Sequence, residues 1–182
     1  MIKKLAISSV LMGLCIVCLF IGSIWPVKIA MCLMASFIVS IVVVECGHKY
    51  AWLVYIGVTI ISFLLIPKKI IVYGFIAFLG FYPIIKLYIE RLNKLWVEWI
   101  AKFIFFNIIL ILAYFALNYF LLPSLDIALV GFVFKYIASI IAVSEIVFLI
   151  YDLAVSYFIS YYRQNLRRYI KIWKKYLLHG WL

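Results

Sequence analysis

The amino-acid sequence predicts an all-α integral membrane protein, a six-helix transmembrane bundle. Hydrophobic residues fill 70% of the 182 positions and charged residues only 13%, too few to cover the surface of a soluble domain. The apolar residues run in segments of roughly 20, enough for a helix to cross the hydrocarbon of a bilayer. Because these segments lack the alternation of barrel strands, they are predicted to be helices that satisfy their own backbone groups.

The first two spans are predicted over residues 5–24 and 27–44. Two lysines precede the first span and no small-residue cleavage site follows it, so we expect a membrane helix with its N-terminus inside. Trp25 and Pro26 form the turn to the second span. Cys15 and Cys18 lie within the first span and are assigned to apolar packing, since a zinc or redox site needs polar surroundings and more ligands.

The third and fourth spans are predicted over residues 50–66 and 70–89, joined by a Pro-Lys-Lys turn. The inside loop before the third span contains Cys46 and His48. Two possible ligands in one loop are a weak metal signal, and the loop is interpreted as a polar turn capped by Gly47.

An amphipathic interfacial helix is predicted between the fourth and fifth spans. Its apolar positions follow helical spacing: Leu92, Leu95, Trp96, Trp99, Ile100 and Phe103. Charged residues line the other side, which would place Trp96 and Trp99 at headgroup depth. This segment is either a plain cytoplasmic anchor or a docking surface for a partner subunit.

The fifth span is predicted over 99–122 and the sixth over 136–161. The chain is hydrophobic from 127 to 162, about 54 Å of helix, which is too long for one span and too short for two. We therefore place the start of the sixth span near Lys135, whose side chain can snorkel outward. Residues 126–134 are then expected along the outer surface.

Residues 163–182 are predicted to form a basic amphipathic cytoplasmic tail. One face carries Arg167, Arg168, Lys171, Lys174 and Lys175, which suits anionic headgroups of the membrane lipids. With the N-terminus inside, 13 of the 17 Lys and Arg residues fall on the inner side and four on the outer side. This bias predicts a multi-pass protein of the cell membrane with both termini in the cytoplasm.

The net charge of +11 does not predict a nucleic-acid partner, because the basic residues lie in short loops and the tail, where topology signals belong. The sequence contains no His-Glu-x-x-His, Gly-x-Ser-x-Gly or Gly-x-Gly-Asp motif, and only two histidines. We expect no catalytic activity, no metal and no cofactor.

Ionisable residues inside spans are costly and usually functional. Lys86 and Asp152 are predicted about 7 Å and about 16 Å inside the inner boundary, with Asn107 about 12 Å inside. These three residues are therefore expected to converge between the fourth, fifth and sixth helices, as a structural salt bridge or as part of a binding site.

Glu145 lies seven residues before Asp152, on the same face of the sixth helix and about 27 Å from the inner boundary. It has no obvious partner within the spans. We expect it to contact a ligand or a cation, although a pair with Lys135 or another outer lysine is an open alternative.

Several local motifs resemble an uncharacterised family of small clostridial membrane proteins. They are Gly-Phe-Tyr-Pro-Ile-Ile-Lys at 80–86, Pro-Lys-Lys at 67–69, Glu90-Arg91, Phe106-Asn107 and Phe-Leu-Ile-Tyr-Asp at 148–152 with the basic tail. The resemblance covers residues 67–168.

The overall plan is similar to that of the substrate-binding S components of energy-coupling factor transporters. This resemblance implies uptake of a vitamin-like molecule or an ion from outside, with a transmembrane scaffold subunit and ATPases as partners. Candidate substrate-binding residues are Tyr82, Lys86, Asn107, Glu145 and Asp152. Ala6 is followed by Val10 and not by the alanine of the usual S-component contact, while Ala138 and Ala142 have that spacing in another helix. The alternative is a non-catalytic structural or assembly protein of the cell envelope.

The charge bias predicts the topology directly. A reporter fused after Leu182 and a thiol introduced by Asn93→Cys should report the cytoplasm, and Ser124→Cys should be labelled from outside by a membrane-impermeant maleimide. Labelling of Asn93→Cys from outside would contradict the six-span topology.

Overall fold

The computed structural model describes residues 2–90, 95–120 and 127–166. Within these ranges the chain is helical and contains no strand. Six helices are long and apolar enough to cross a membrane, which agrees with the predicted fold class. The first part of the interfacial segment and the basic residues of the tail, from Arg167 onward, lie outside the described residues.

Seven α-helices form the six candidate spans. They are α1 (Ile2–Ile24), α2 (Lys28–Glu45), α3 (His48–Leu65), α4 (Lys69–Gly74), α5 (Tyr82–Ile89), α6 (Leu95–Phe120) and α7 (Ile127–Tyr161). A π-helical segment, Phe75–Leu79, joins α4 to α5 within the fourth span, and a π-helical turn, Tyr162–Leu166, follows α7. The first four predicted spans coincide with helical segments to within about three residues.

Two predicted helix boundaries are wrong. α6 runs without a break from Leu95, so residues 95–103 are the first turns of the helix that contains the fifth span and do not form a separate helix. α7 likewise begins at Ile127, so 127–134 belong to the same helix as the sixth span. No proline interrupts either helix, and an unbroken backbone ladder is the favourable state in an apolar medium.

One end of the bundle collects the loops that are predicted to be cytoplasmic, and we call it the inner end. The Cys46 thiol, just after α2, donates to the Lys4 carbonyl oxygen at 3.4 Å. The His48 ring, at the start of α3, lies 4.0 Å from the Tyr88 ring at the end of α5. The start of α1, the α2–α3 turn and the end of α5 therefore share this end.

α2 is the central helix of the bundle and packs against α1, α3, α4, α5 and α7. Its buried residues are small or mostly β-branched: Cys32, Ala35, Ser36, Ile38, Val39, Ser40, Val42 and Val43. Small side chains allow helix backbones to approach closely in lipid, where packing rather than the hydrophobic effect drives association.

Aromatic side chains build a second core where α5, α6 and α7 meet. We call it the aromatic layer; it consists of Phe78, Tyr82, Phe106, Phe148 and Tyr151. The Phe106 and Phe148 rings stack with centroids 4.3 Å apart and an angle of 8° between planes. The Phe78 ring contacts the other four. This layer lies directly outward of the inner-end charges.

The fourth span changes helix type in its middle, and tyrosines satisfy the backbone there. The Gly80 amide donates to the Phe75 carbonyl oxygen at 2.7 Å, the i+5 bond of a π-helix. The Tyr55 hydroxyl donates to the Ile76 carbonyl oxygen at 3.0 Å, and the Tyr151 hydroxyl donates to that of Leu79 at 3.4 Å. Pro83 lies in the first turn of α5, where its missing N–H costs little.

Gly80 is required by the close approach of Phe75. A Cβ at Gly80 would lie 2.7 and 2.8 Å from two atoms of the Phe75 ring and 2.9 Å from its carbonyl oxygen. We expect Gly80→Ala to lower the free energy of unfolding in detergent by about 1–3 kcal/mol, because the ring and backbone must shift.

Gly74→Ala is the matched control, because a Cβ at Gly74 meets no atom within 4 Å. This change should leave thermal stability unchanged or raise it slightly, since alanine is the better helix former. Equal melting temperatures for the two variants would show that the Phe75 contact is not restrictive.

Candidate functional site

Four charged side chains meet at the inner end of the bundle, and we call them the charged cluster: Lys86, Glu90, Lys102 and Asp152. Lys86 is on α5 and Glu90 follows that helix directly, so the two lie one turn apart on one face. α6 supplies Lys102 and α7 supplies Asp152. Three elements that are distant in sequence therefore contribute to one site.

Asp152 is the hub of the charged cluster. Its Oδ1 accepts hydrogen bonds from the Lys86 ammonium group and, at 2.5 Å, from the Tyr82 hydroxyl. Its Oδ2 accepts one from Lys102 Nζ at 3.0 Å. Lys86 Nζ also donates to the Asp152 carbonyl oxygen at 2.8 Å. Both carboxylate oxygens are thus engaged by donors from two other helices.

Glu90 closes the charged cluster on its inner side. Its Oε1 lies 3.5 Å from Lys86 Nζ and 3.6 Å from Lys102 Nζ. The positive and negative groups therefore alternate around the cluster, and their formal charges cancel. The Lys86 and Asp152 side chains are 0% and 2% exposed, whereas Glu90 is 32% exposed. The charged cluster is buried in its centre and reaches solvent through Glu90.

This arrangement explains how the charges persist between apolar helices. A single ionised group in a low-dielectric interior carries a large desolvation cost, which opposite charges and hydrogen bonds at short range offset. The Trp99 ring adds a further favourable contact, with Lys102 Nζ 5.5 Å from its centroid. The result is a neutral, mutually satisfied group that fixes how α5, α6 and α7 face one another.

The predicted Lys86–Asp152 contact is confirmed, and Tyr82, another predicted site residue, joins it. Asn107 does not take part: its Nδ2 donates to the Phe103 carbonyl oxygen at 3.0 Å within α6. The predicted convergence of Asn107 with the pair is therefore wrong, and Lys102 occupies that place.

Lys102 is the member of the charged cluster that the sequence does not predict, because its position matches the charged side of the predicted interfacial helix. Lys102 precedes the buried Phe106 by four residues, so both lie on one face of α6. Once α6 starts at Leu95, Lys102 lies about 10 Å inside that helix.

Glu145 lies apart from the charged cluster, about 10 Å away along α7, with the buried Phe148 between them. Its side chain is half-buried, and among the described residues no hydrogen bond or ion pair reaches it. The side chain of Lys135, one predicted partner, lies outside the described part. Glu145 therefore remains a predicted contact for a ligand or a cation.

The predicted surface-docking residues divide into two groups. Trp96 is 85% exposed and Trp99 is 37% exposed, both in the first turns of α6 at the inner end. Five basic residues predicted to dock on the membrane surface lie outside the described residues: Arg167, Arg168, Lys171, Lys174 and Lys175. Docking through either group remains a prediction.

The cysteines act in packing. Cys15 is fully buried and donates to the Ala35 carbonyl oxygen at 3.5 Å, and all four thiols are free. Burial raises the pKa of the Cys46 thiol, and Glu45 raises it further against a lowering by Lys4. In the described part of the chain no three His, Cys, Asp or Glu side chains are grouped to hold a metal ion.

Neutrality of the charged cluster makes a specific double-mutant prediction. Lys86→Met and Asp152→Asn should each lower the free energy of unfolding by about 3–5 kcal/mol, because each leaves one uncompensated buried charge. The double variant should lose less than the sum, since Lys102 and Glu90 still neutralise one another. Thermal unfolding of the purified chain in detergent measures all three.

Asn107→Leu is the matched control, a polar change on α6 outside the charged cluster. It should cost no more than about 1 kcal/mol, and its effect should add to that of Asp152→Asn. Simple additivity between Lys86→Met and Asp152→Asn would refute the ion pair.

Comparisons of the chain with protein-family models, with curated proteins and with solved structures found no match. The resemblances to small clostridial membrane proteins and to S components therefore stay predictions. The geometry of the charged cluster and its surroundings is the basis for a functional proposal.

Proposed function

We propose that the chain is a solute-binding or transport subunit of the cell membrane, without an ATPase of its own, in which the charged cluster is the cytoplasmic gate. The observation that carries this proposal is the alternating pairing of Lys86, Glu90, Lys102 and Asp152 across α5, α6 and α7. Buried ionisable residues are costly in membrane helices, and they typically mark substrate or ion pathways.

A gate requires contacts that can exchange, and its helices must be able to move. Ion pairs between helices can break and re-form with new partners, and such repacking is a common switching device. α5 carries Lys86 and is joined to α4 through the π-helical segment, a local change of helix type that is frequent at functional sites. α6 carries Lys102 and contains the least buried of the six candidate spans. Both features support relative movement of the two lysines.

The side chains outward of the charged cluster follow the order expected of a binding path, with a charged contact first and a closed layer beneath it. Glu145 is the first carboxylate that a solute entering from outside would meet on α7. The aromatic layer follows, closed by the Phe106–Phe148 stack, and the charged cluster lies beneath it. A half-buried carboxylate above a sealed layer favours a cation, or a solute with a cationic group. Glu145 is therefore the proposed substrate contact.

The second candidate is a structural or assembly protein of the cell envelope. One observation favours it: every charge of the charged cluster has an opposite partner within the cluster. A salt-bridge network that only holds the helices together would have the same geometry. The two functions differ in whether a small molecule or an energising partner binds.

Purification of the full chain from its native host in mild detergent, followed by native mass spectrometry, separates the two functions. We expect a co-purified cationic small molecule, or a complex with a membrane scaffold subunit and ATPases. Glu145→Gln should reduce retention of the small molecule by about tenfold or more, because it removes the only proposed charge contact.

Glu98→Gln is the matched control, since Glu98 is a half-buried carboxylate in the first turn of α6, outside the proposed path. It should leave ligand retention unchanged. Recovery of the chain with neither a small molecule nor an ATPase complex would support the structural role and count against transport.

A further inference from the structure

A polar cleft of about 370 Å³ opens at the inner end, next to the charged cluster. Its lining residues come from the end of the fourth span and from the end of α7 with the turn that follows: Glu90, Ser156, Ile159, Ser160, Arg163 and Gln164. The predicted substrate path does not include this polar cleft, and only Arg163 and Gln164 of its lining belong to the predicted basic tail. It therefore needs an account of its own.

The lining of the polar cleft combines one anion, one cation and neutral donors. Ser156, Ser160 and Arg163 follow one another at four and three residues, so they share a face. Gln164 Nε2 donates to Ser160 Oγ at 3.3 Å, which ties the amide to this face. Opposite them, Glu90 uses Oε1 for both of its ion pairs in the described part of the chain, and its side chain is 32% exposed.

On the predicted topology, the polar cleft lies near the lipid headgroups of the inner leaflet. Arg163 lies about 16 Å beyond Asp152 along the helix, past the end of α7 at Tyr161. Two strongly exposed tyrosines, Tyr157 at 78% and Tyr161 at 58%, lie in the same two turns. Tyrosines with this exposure are typical of the membrane–water interface. A lipid headgroup is therefore the molecule present at this depth at high local concentration.

We propose that the polar cleft binds the phosphoethanolamine headgroup of a zwitterionic phospholipid. The Arg163 guanidinium group, with the Ser156 and Ser160 hydroxyls, would donate to the phosphate oxygens. Glu90 would accept hydrogen bonds from the primary ammonium group. Phosphocholine cannot make the second contact because its ammonium has no N–H, and phosphoglycerol carries no cation. The polar cleft should therefore select one headgroup out of these three.

This site also connects the surrounding lipid to the charged cluster. Glu90 belongs to both, so a headgroup ammonium would be a third cation beside Lys86 and Lys102 on one carboxylate. The ammonium group of a bound headgroup would then stabilise the negative charge of Glu90 on the exposed side of its carboxylate. The inference goes beyond the proposed transport function and holds equally for a structural membrane protein.

Native mass spectrometry of the full chain tests the proposal. The protein is incubated in mild detergent with an equimolar mixture of phosphatidylethanolamine, phosphatidylcholine and phosphatidylglycerol with matched acyl chains. We expect phosphatidylethanolamine to be retained at higher occupancy than the other two lipids. Arg163→Gln should reduce that retention by about tenfold, since it removes the charged donor to the phosphate, and Arg163→Lys should restore part of it.

Lys49→Gln is the matched control, an exposed cation at the inner end outside the polar cleft. It should leave the lipid preference unchanged, and circular dichroism of each variant verifies the fold. Equal retention of the three lipids, or a preference for phosphatidylglycerol, would overturn the proposal in favour of nonspecific surface attraction. Free O-phosphoethanolamine serves as the soluble probe: if it binds while no lipid is retained, the assignment to a membrane lipid is wrong.

Discussion

The inner half of this bundle depends on the need to neutralise charge in an apolar medium. An ionised ammonium or carboxylate buried between membrane helices is costly unless an opposite charge and hydrogen bonds offset its desolvation. Asp152 meets this need with Lys86 on one oxygen and Lys102 on the other, and Glu90 closes the cluster. Because the three helices must present these groups to one point, the charged cluster determines their rotation about their own axes.

The break in the fourth span makes that convergence possible. A continuous helix from Lys69 to Ile89 would carry one rotational phase throughout, whereas the π-helical segment Phe75–Leu79 shifts the phase before α5 begins. The hydroxyls of Tyr55 and Tyr151 satisfy carbonyl oxygens in this segment. Tyr151 is adjacent to Asp152, so the same turn of α7 supports the break in the fourth span and carries the hub of the charged cluster.

Three layers follow one another along α7, so the two ends of the bundle differ in chemical character. Glu145 lies in the outer half, Phe148 belongs to the aromatic layer, and Asp152 belongs to the charged cluster. The polar cleft continues the series at the inner end through Ser156 and Arg163. Glu90 joins the last two layers, since it both pairs with the buried lysines and lines the polar cleft. Any change at the inner surface that moves Glu90 therefore alters its ion pairs with the buried Lys86 and Lys102.

The amino-acid sequence by itself determined the membrane class, the six helical segments and the Lys86–Asp152 pair, because apolar length and the cost of buried charge are local properties. It also placed Glu145 and Asp152 on one face of a helix. Only the tertiary structure decided that Lys102 and not Asn107 completes the site. That choice depends on how α6 is rotated against α5 and α7, and the Phe106–Phe148 stack contributes to that rotation together with the Lys102–Asp152 ion pair. Such contacts join residues far apart in the chain, so no local pattern encodes them.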